Sequence, residues 1–248
     1  MIQCRAKRRG RVNHMSDFMQ ANSGFLGMTW HDVIVAGVVA VICIAVIAFL
    51  IILRRSSKEL KFTVYDMAVV GVMAAICFVV TYFIKIPVPT PAGQVMIKLA
   101  NAFCLLAGVL FGGVRGGLAA GIGSMFYDLL DPVYITDAPL TLIRFFLMAF
   151  ICGVICWKGD GKGKSMSRIV IGTVSGSVFS LLFYFIQSIV KQLLLGQPFD
   201  VAVVQCFLKM GVSSINAVVA VVVACLLAPV CRKGLEQAGL YRKMKTAK

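Results

Sequence analysis

The sequence predicts an all-α integral membrane protein, and three observations carry that prediction. Of 248 residues, 60% are hydrophobic and only 14% charged, with a mean hydropathy of +0.91. That balance is far too apolar for an ordinary soluble domain. The apolar residues gather in seven runs, roughly 33–53, 63–84, 94–111, 114–130, 138–157, 168–191 and 201–228, each near the length of about 20 residues that crosses a bilayer. Finally, the net charge of +15 sits in the gaps between these runs, where it marks membrane flanks rather than a nucleic-acid surface.

Taken in order, residues 1–32 are basic and polar and predict a disordered lead-in to a transmembrane helix at 33–53. A signal peptide does not fit, because the run is too long and ends in "RRSS" without a small-residue cleavage site. The third and fourth runs are short and meet at "FGGVRGG", a Gly-rich turn that predicts a helical hairpin. Between the second and third runs, "KIPVPTPAGQ" (85–94) places Pro87, Pro89 and Pro91 close together. Proline fixes φ and resists helix, so this segment reads as a semi-rigid extended connector or pocket cap. No alternation predicts a strand, and no internal repeat is evident.

Orientation follows from Lys and Arg. Fifteen of them fall on one side: Arg54, Arg55, Lys58 and Lys61, Arg115 in the Gly-rich turn, Lys158, Lys162, Lys164 and Arg168, and six in the tail from Arg232 onward. The opposite loops hold Lys85 and Lys191 with Asp131, Asp137 and Asp200. The C-terminus, with a basic tail at 231–248, is therefore expected in the cytoplasm. Seven spans would then put the basic "CRAKRRGR" outside, a conflict that a true start at Met15 removes.

Several polar groups lie inside the predicted spans. Arg144 sits about six residues, roughly 9 Å, from the outer end of its helix. Lys98 and Asn101 are three apart on the 94–111 segment, Asp128 and Gln187 lie near outer ends, and Gln205, Lys209, Ser213 and Asn216 form a stripe on the last run. Lipid cannot solvate such groups, so they are expected to share an interior. Arg144 either snorkels to the interface or pairs with Asp128 to close the bundle, or it faces a water-filled pocket. The cationic surplus of Lys98, Arg144 and Lys209 over Asp128 favours the pocket and an anionic or carbonyl-rich ligand.

Small residues add a second pattern. Gly113, Gly117, Gly121, Ser124 and Asp128 recur about every four positions and predict close helix packing. Gly71 and Ala75, with Ala68 and Ala74 nearby, form another small-residue patch, suited to packing within the chain or to docking on another membrane subunit.

Catalytic and metal motifs are not found. "GKGKS" at 161–165 has Lys158 where a phosphate loop needs glycine, and the histidines, His14 and His31, precede the bundle. Eight of nine cysteines lie in or at the end of apolar runs, as buried hydrophobes do, and no metal or cofactor site is predicted. An enzyme is not expected, and energy for uptake must come from elsewhere.

The segments "GGLAAGIGSMFYDLLDP" and "APLTLIRFF" resemble the membrane-embedded S components of energy-coupling factor (ECF) vitamin transporters, particularly the riboflavin type, over roughly residues 62–230. The resemblance implies a six-helix bundle, here with one extra N-terminal helix, in the bacterial plasma membrane. Such a bundle binds a vitamin near its outer face and docks on a transmembrane T component served by two cytoplasmic ATPase subunits. Relatives dock through an AxxxA motif, matched here by Gly71-x-x-x-Ala75. Two departures alter pocket polarity. Ala100-Asn101-Ala102 stands where relatives often read Gly-Asp-Ala, and Arg144 stands where they often carry lysine. The expected ligand is thus riboflavin-like, or an anionic vitamin such as pantothenate, held by Lys98, Asn101, Asp128, Arg144, Gln187, Lys209 and Asn216. An autonomous secondary transporter or a ligand-free membrane scaffold are the competing classes; the first would need broken helices or a repeat.

Overall fold

A computed structural model describes residues 63–90, 93–158, 165–194 and 199–239, besides Ile47 and Ile51. The expected 1–32 lead-in, the Met15 start, nearly all of the 33–53 helix, all but Ser165 of "GKGKS" and the last part of the basic tail lie outside the described residues.

Helix α1 (Val64–Phe83) is followed by strands β1 (Lys85–Thr90) and β2 (Gly93–Lys98). Helices α2 (Ala100–Phe111), α3 (Gly113–Leu130), α4 (Ala138–Trp157), α5 (Met166–Leu194) and α6 (Phe199–Gln237) complete the bundle. Four of them, Val64–Phe83, Ile135–Trp157, Met166–Leu193 and Val201–Gln237, are long and apolar enough to cross a membrane, and the protein is a multi-pass membrane protein. Outward-facing Val72, Phe83, Val218, Val222 and Leu226 are exposed, as lipid-facing side chains must be.

The start of α1 shows how sequence fixes an end. Thr63 Oγ1 accepts from the Asp66 N–H at 3.4 Å while Asp66 Oδ2 accepts from the Thr63 N–H at 3.3 Å, a capping box. Arg115 at the start of α3 then donates to the same carboxylate at 3.0 Å. An arginine counted above as a topogenic charge therefore also neutralises the buried Asp66.

The 94–111 segment corrects the expectation of one helix. Residues 93–98 pair antiparallel with 85–90 in the register Lys85↔Lys98 through Thr90↔Gly93, and helix begins only at Ala100. The prolines hold 85–90 extended, and Pro87 and Pro89 are tolerated because β1 is an edge strand that needs few N–H donors. Alternate residues of the partner strand exchange backbone hydrogen bonds with β1, and that pairing holds "GQVMIK" extended in place of helix. Lys98 and Asn101 consequently do not share a helix face.

Helix α2 is the centre of the bundle, with every residue from Cys104 to Phe111 buried under α3, α4 and α6. The turn into α3 uses Gly112 at φ +83°, a conformation that favours glycine, and Trp157 Nε1 donates to Val109 O at 2.9 Å beside it. The small-residue stripe of α3 packs internally. A Cβ on Gly117 would stand 2.9 Å from the Phe146 ring, and one on Gly121 2.9 Å from Leu142 O, so α3 and α4 approach closely. The last helix overruns the expected boundary at 228–230, continuing through Pro229 to Gln237, where an Arg232–Glu236 pair at 3.2 Å supports its final turns. The basic tail therefore begins as helix.

Candidate functional site

At the end of the bundle carrying the hairpin, β2, the 131–137 connection, α2, α3, α4, α5 and α6 surround a cavity of about 280 Å³. Lys98, Asn101, Asp128, Arg144, Gln187, Lys209 and Asn216 all line it. Secondary structure explains their convergence. Lys98 ends β2, Asn101 opens α2, Asp128 lies in the last turns of α3, and Arg144 lies in the second turn of α4. Gln187 comes from α5, while Lys209 and Asn216 sit two helical turns apart on α6. Of the expected α6 stripe, Ser213 also lines the cavity. Gln205 instead accepts from Gln192 Nε2 at 2.8 Å, tying α6 to α5 at the rim.

The charges are arranged unevenly. Lys98 Nζ lies 3.4 Å from Asp128 Oδ1 and above the rings of Tyr127 and Tyr134, at 4.3 and 5.2 Å from their centroids, positions in which a ring face attracts a cation. Burial holds its ammonium below the usual lysine value. Asp128 opposes that shift and Arg144 adds to it. Lys191 pairs with Asp137 at 2.8 Å. Arg144 and Lys209 have no carboxylate within 4.0 Å among the described residues. The Arg144 guanidinium lies over Phe145 at 4.6 Å and Tyr184 at 5.1 Å, and its buried Nε has no hydrogen-bond partner among the described residues. Gln187 Oε1 is buried and unpartnered in the same sense. The alternative in which Arg144 closes the bundle on Asp128 is therefore not what the structure has; Lys98 takes that place.

Around this floor the hairpin is fastened to α3. Lys85 Nζ donates to Tyr127 Oη at 2.9 Å, and Tyr127 Oη donates to Asp131 Oδ2 at 2.9 Å. Val95 and Met96 of β2 form an apolar wall. Burial, aided by Tyr184 and nearby carboxylates, pushes the Tyr134 hydroxyl up to about 12, so it stays neutral at the cavity edge. Sequence reasoning missed Tyr134, Asp137, Tyr184, Lys191 and the α5 serines, all of which line the cavity. A signal was present in Ser177, Ser180, Tyr184, Gln187 and Lys191, a polar stripe at helical spacing.

A second hollow, of about 600 Å³, lies between α1 and α3 and is lined by Gly71, Ala74, Ala75, Phe78, Ile122, Phe126, Leu129 and Leu130. Ala68, Gly71 and Ala75 are exposed, and a Cβ on Gly71 would meet nothing within 4 Å among the described residues. Ala74, expected either to pack within the chain or to serve docking, makes an internal contact as well as lining the hollow. It is buried, and its carbonyl would stand 2.5 Å from a Cβ on Gly123, so it packs α1 against α3.

A family model described as "ECF-type riboflavin transporter, S component" matches residues 61–233. A protein of Pyrococcus woesei, described as "Uncharacterized protein in gap 3'region", is 33% identical over 104 residues. That match covers 42% of this chain and 65% of the relative, so the chain spans less than two thirds of the relative's length.

Proposed function

The chain belongs to the family of ECF-type riboflavin transporter S components, and on that premise we propose that it captures one vitamin-class small molecule in the hairpin-end cavity for uptake. The family is one of transporters rather than enzymes. The observation that carries the reading is the convergence on one cavity of polar side chains from β2, α2, α3, α4, α5 and α6, with Arg144 Nε and Gln187 Oε1 left without partners among the described residues. Buried polar groups without partners are costly, and a bound ligand completes them. The ligand is riboflavin-like or an anionic vitamin such as pantothenate. The cavity faces the cell exterior, because the basic gaps cluster at the other end of the bundle and the C-terminus is cytoplasmic. The loaded bundle docks through the exposed Gly71–Ala75 face of α1 onto a T component, and two ATPase subunits supply the energy.

The test is equilibrium binding to the purified chain, followed by co-purification with T and ATPase subunits. A small molecule bound by the isolated chain and lost in Arg144→Ala supports the reading. A folded chain that binds nothing returns the protein to the scaffold class, and uptake by the chain alone in liposomes makes it a secondary transporter.

A further inference from the structure

The cavity's charges identify the ligand more closely. Among the described residues, four cations line it, Lys98, Arg144, Lys191 and Lys209, against two carboxylates, Asp128 and Asp137. Each carboxylate is already matched to a lysine, which leaves Arg144 and Lys209 as charges without counter-charge among the described residues. An arginine does not discharge by deprotonating, and within a membrane bundle its charge must be balanced by something. An uncharged ring system would satisfy the apolar wall of Val95, Met96 and Phe145 but leave both cations unbalanced in a low-dielectric site.

We infer, building on the function proposed above, that the ligand is a compact organic acid. Its carboxylate is held by Arg144 with Lys209 adding to the field, and a hydroxyl or N–H of the same molecule donates to Gln187 Oε1. Three observations agree on this. Among the described residues, the Arg144 Nε is a buried donor that lacks an acceptor, and Gln187 Oε1 is a buried acceptor that lacks a donor. The guanidinium carbon lies 4.6 and 5.1 Å from the Phe145 and Tyr184 ring centroids, which anchors in the cavity wall a group whose forked N–H donors match a planar carboxylate. The volume, about 280 Å³, lies at the small end of ligand pockets and suits a compact molecule.

The experiment offers the purified full chain, washed in neutral detergent, two probes. One is the protein-free, small-molecule fraction of a cell extract, and the other is a total lipid extract. Released compounds are identified by mass spectrometry, with the Arg144→Gln/Lys209→Gln double variant alongside. The captured compound is then titrated against its own amide. The expected result is a soluble carboxylic acid captured by the wild-type chain and not by the double variant. Its amide should bind about 30-fold or more weaker, and Arg144→Lys should keep part of the affinity. The acid–amide comparison uses only wild-type protein, so it stands even where a variant fails to fold. Capture of a neutral compound or an anionic lipid, or equal binding of acid and amide, overturns the inference and leaves ligand binding as such intact. A folded chain that captures nothing overturns the proposed function together with it.

Discussion

Gly71 and Gly123 lie on the two helices that border the α1–α3 hollow, and substituting them separates folding from docking. At Gly71 a new side chain meets no described residue within 4 Å, and glycine in a helix costs roughly 1 kcal/mol relative to alanine or leucine. Gly71→Leu should therefore leave thermal stability in detergent unchanged or raised by up to about 1 kcal/mol. It places an isobutyl group on the face that must approach a T component, so complex formation should be lost while ligand affinity is kept. At Gly123 the first atom met is the carbonyl of Ala74 at 2.5 Å, followed by Cys77 Cβ at 2.8 Å. Backbone cannot swing aside as a flexible side chain does. Overpacking of this kind costs about 1–3 kcal/mol, and the helix-propensity gain of roughly 1 kcal/mol offsets only part of it. Gly123→Ala should lower stability by up to about 2 kcal/mol and weaken docking only as far as α1 shifts. The assays are melting in detergent and pull-down with T and ATPase subunits. An intact complex with Gly71→Leu, or a stabilised Gly123→Ala, refutes the reasoning.

Other perturbations act at the cavity. Arg144→Ala should weaken ligand binding by about 2–5 kcal/mol, the range for truncating one partner of a buried, hydrogen-bonded charge pair, with the melting temperature held within a few degrees; calorimetric titration reads the affinity. Tyr127→Phe removes the hydroxyl between Lys85 and Asp131 and should cost about 1–3 kcal/mol, seen as faster amide exchange in residues 85–98. Lys98→Met strands the buried Asp128 carboxylate; because that pair is long at 3.4 Å, the loss should fall near the lower limit of about 3 kcal/mol for a broken buried pair, measured by denaturant titration. Since the Lys98 value is lowered in the fold, its proton is held less tightly there than in the unfolded chain. Stability should therefore rise as pH climbs through the folded value toward the unfolded one, whereas affinity for an anionic ligand should fall over the same window. Lys98→Arg should move that fall in affinity to higher pH.

Much of the bundle was legible because a bilayer imposes one rule, that apolar runs of sufficient length become helices. Helix α4 matches its run at both ends, and α1 differs by a single residue at each. Convergence of the polar groups was legible for the same reason, since lipid leaves them nowhere else to go. The hairpin was not legible. "GQVMIK" is apolar enough to continue a helix, and its strand pairing depends on a partner strand whose prolines indicate extension without indicating a neighbour. Lys98 was consequently given a helix face, yet it reaches the cavity from the end of β2. Asp137 and Lys191 looked like loop charges because sequence cannot show that the 131–137 connection folds over the cavity mouth. The last helix outruns its apolar run, passing through Pro229 to Gln237, because within a packed bundle neighbouring groups offset the lost backbone bond.

The most direct measurement is a structure of the purified chain with its co-purified small molecule bound. The account predicts that molecule in the hairpin-end cavity, with an acceptor oxygen at hydrogen-bond distance from Arg144 Nε and a donor facing Gln187 Oε1. A ligand bound elsewhere, or Arg144 turned onto Asp128 with the cavity closed, contradicts it.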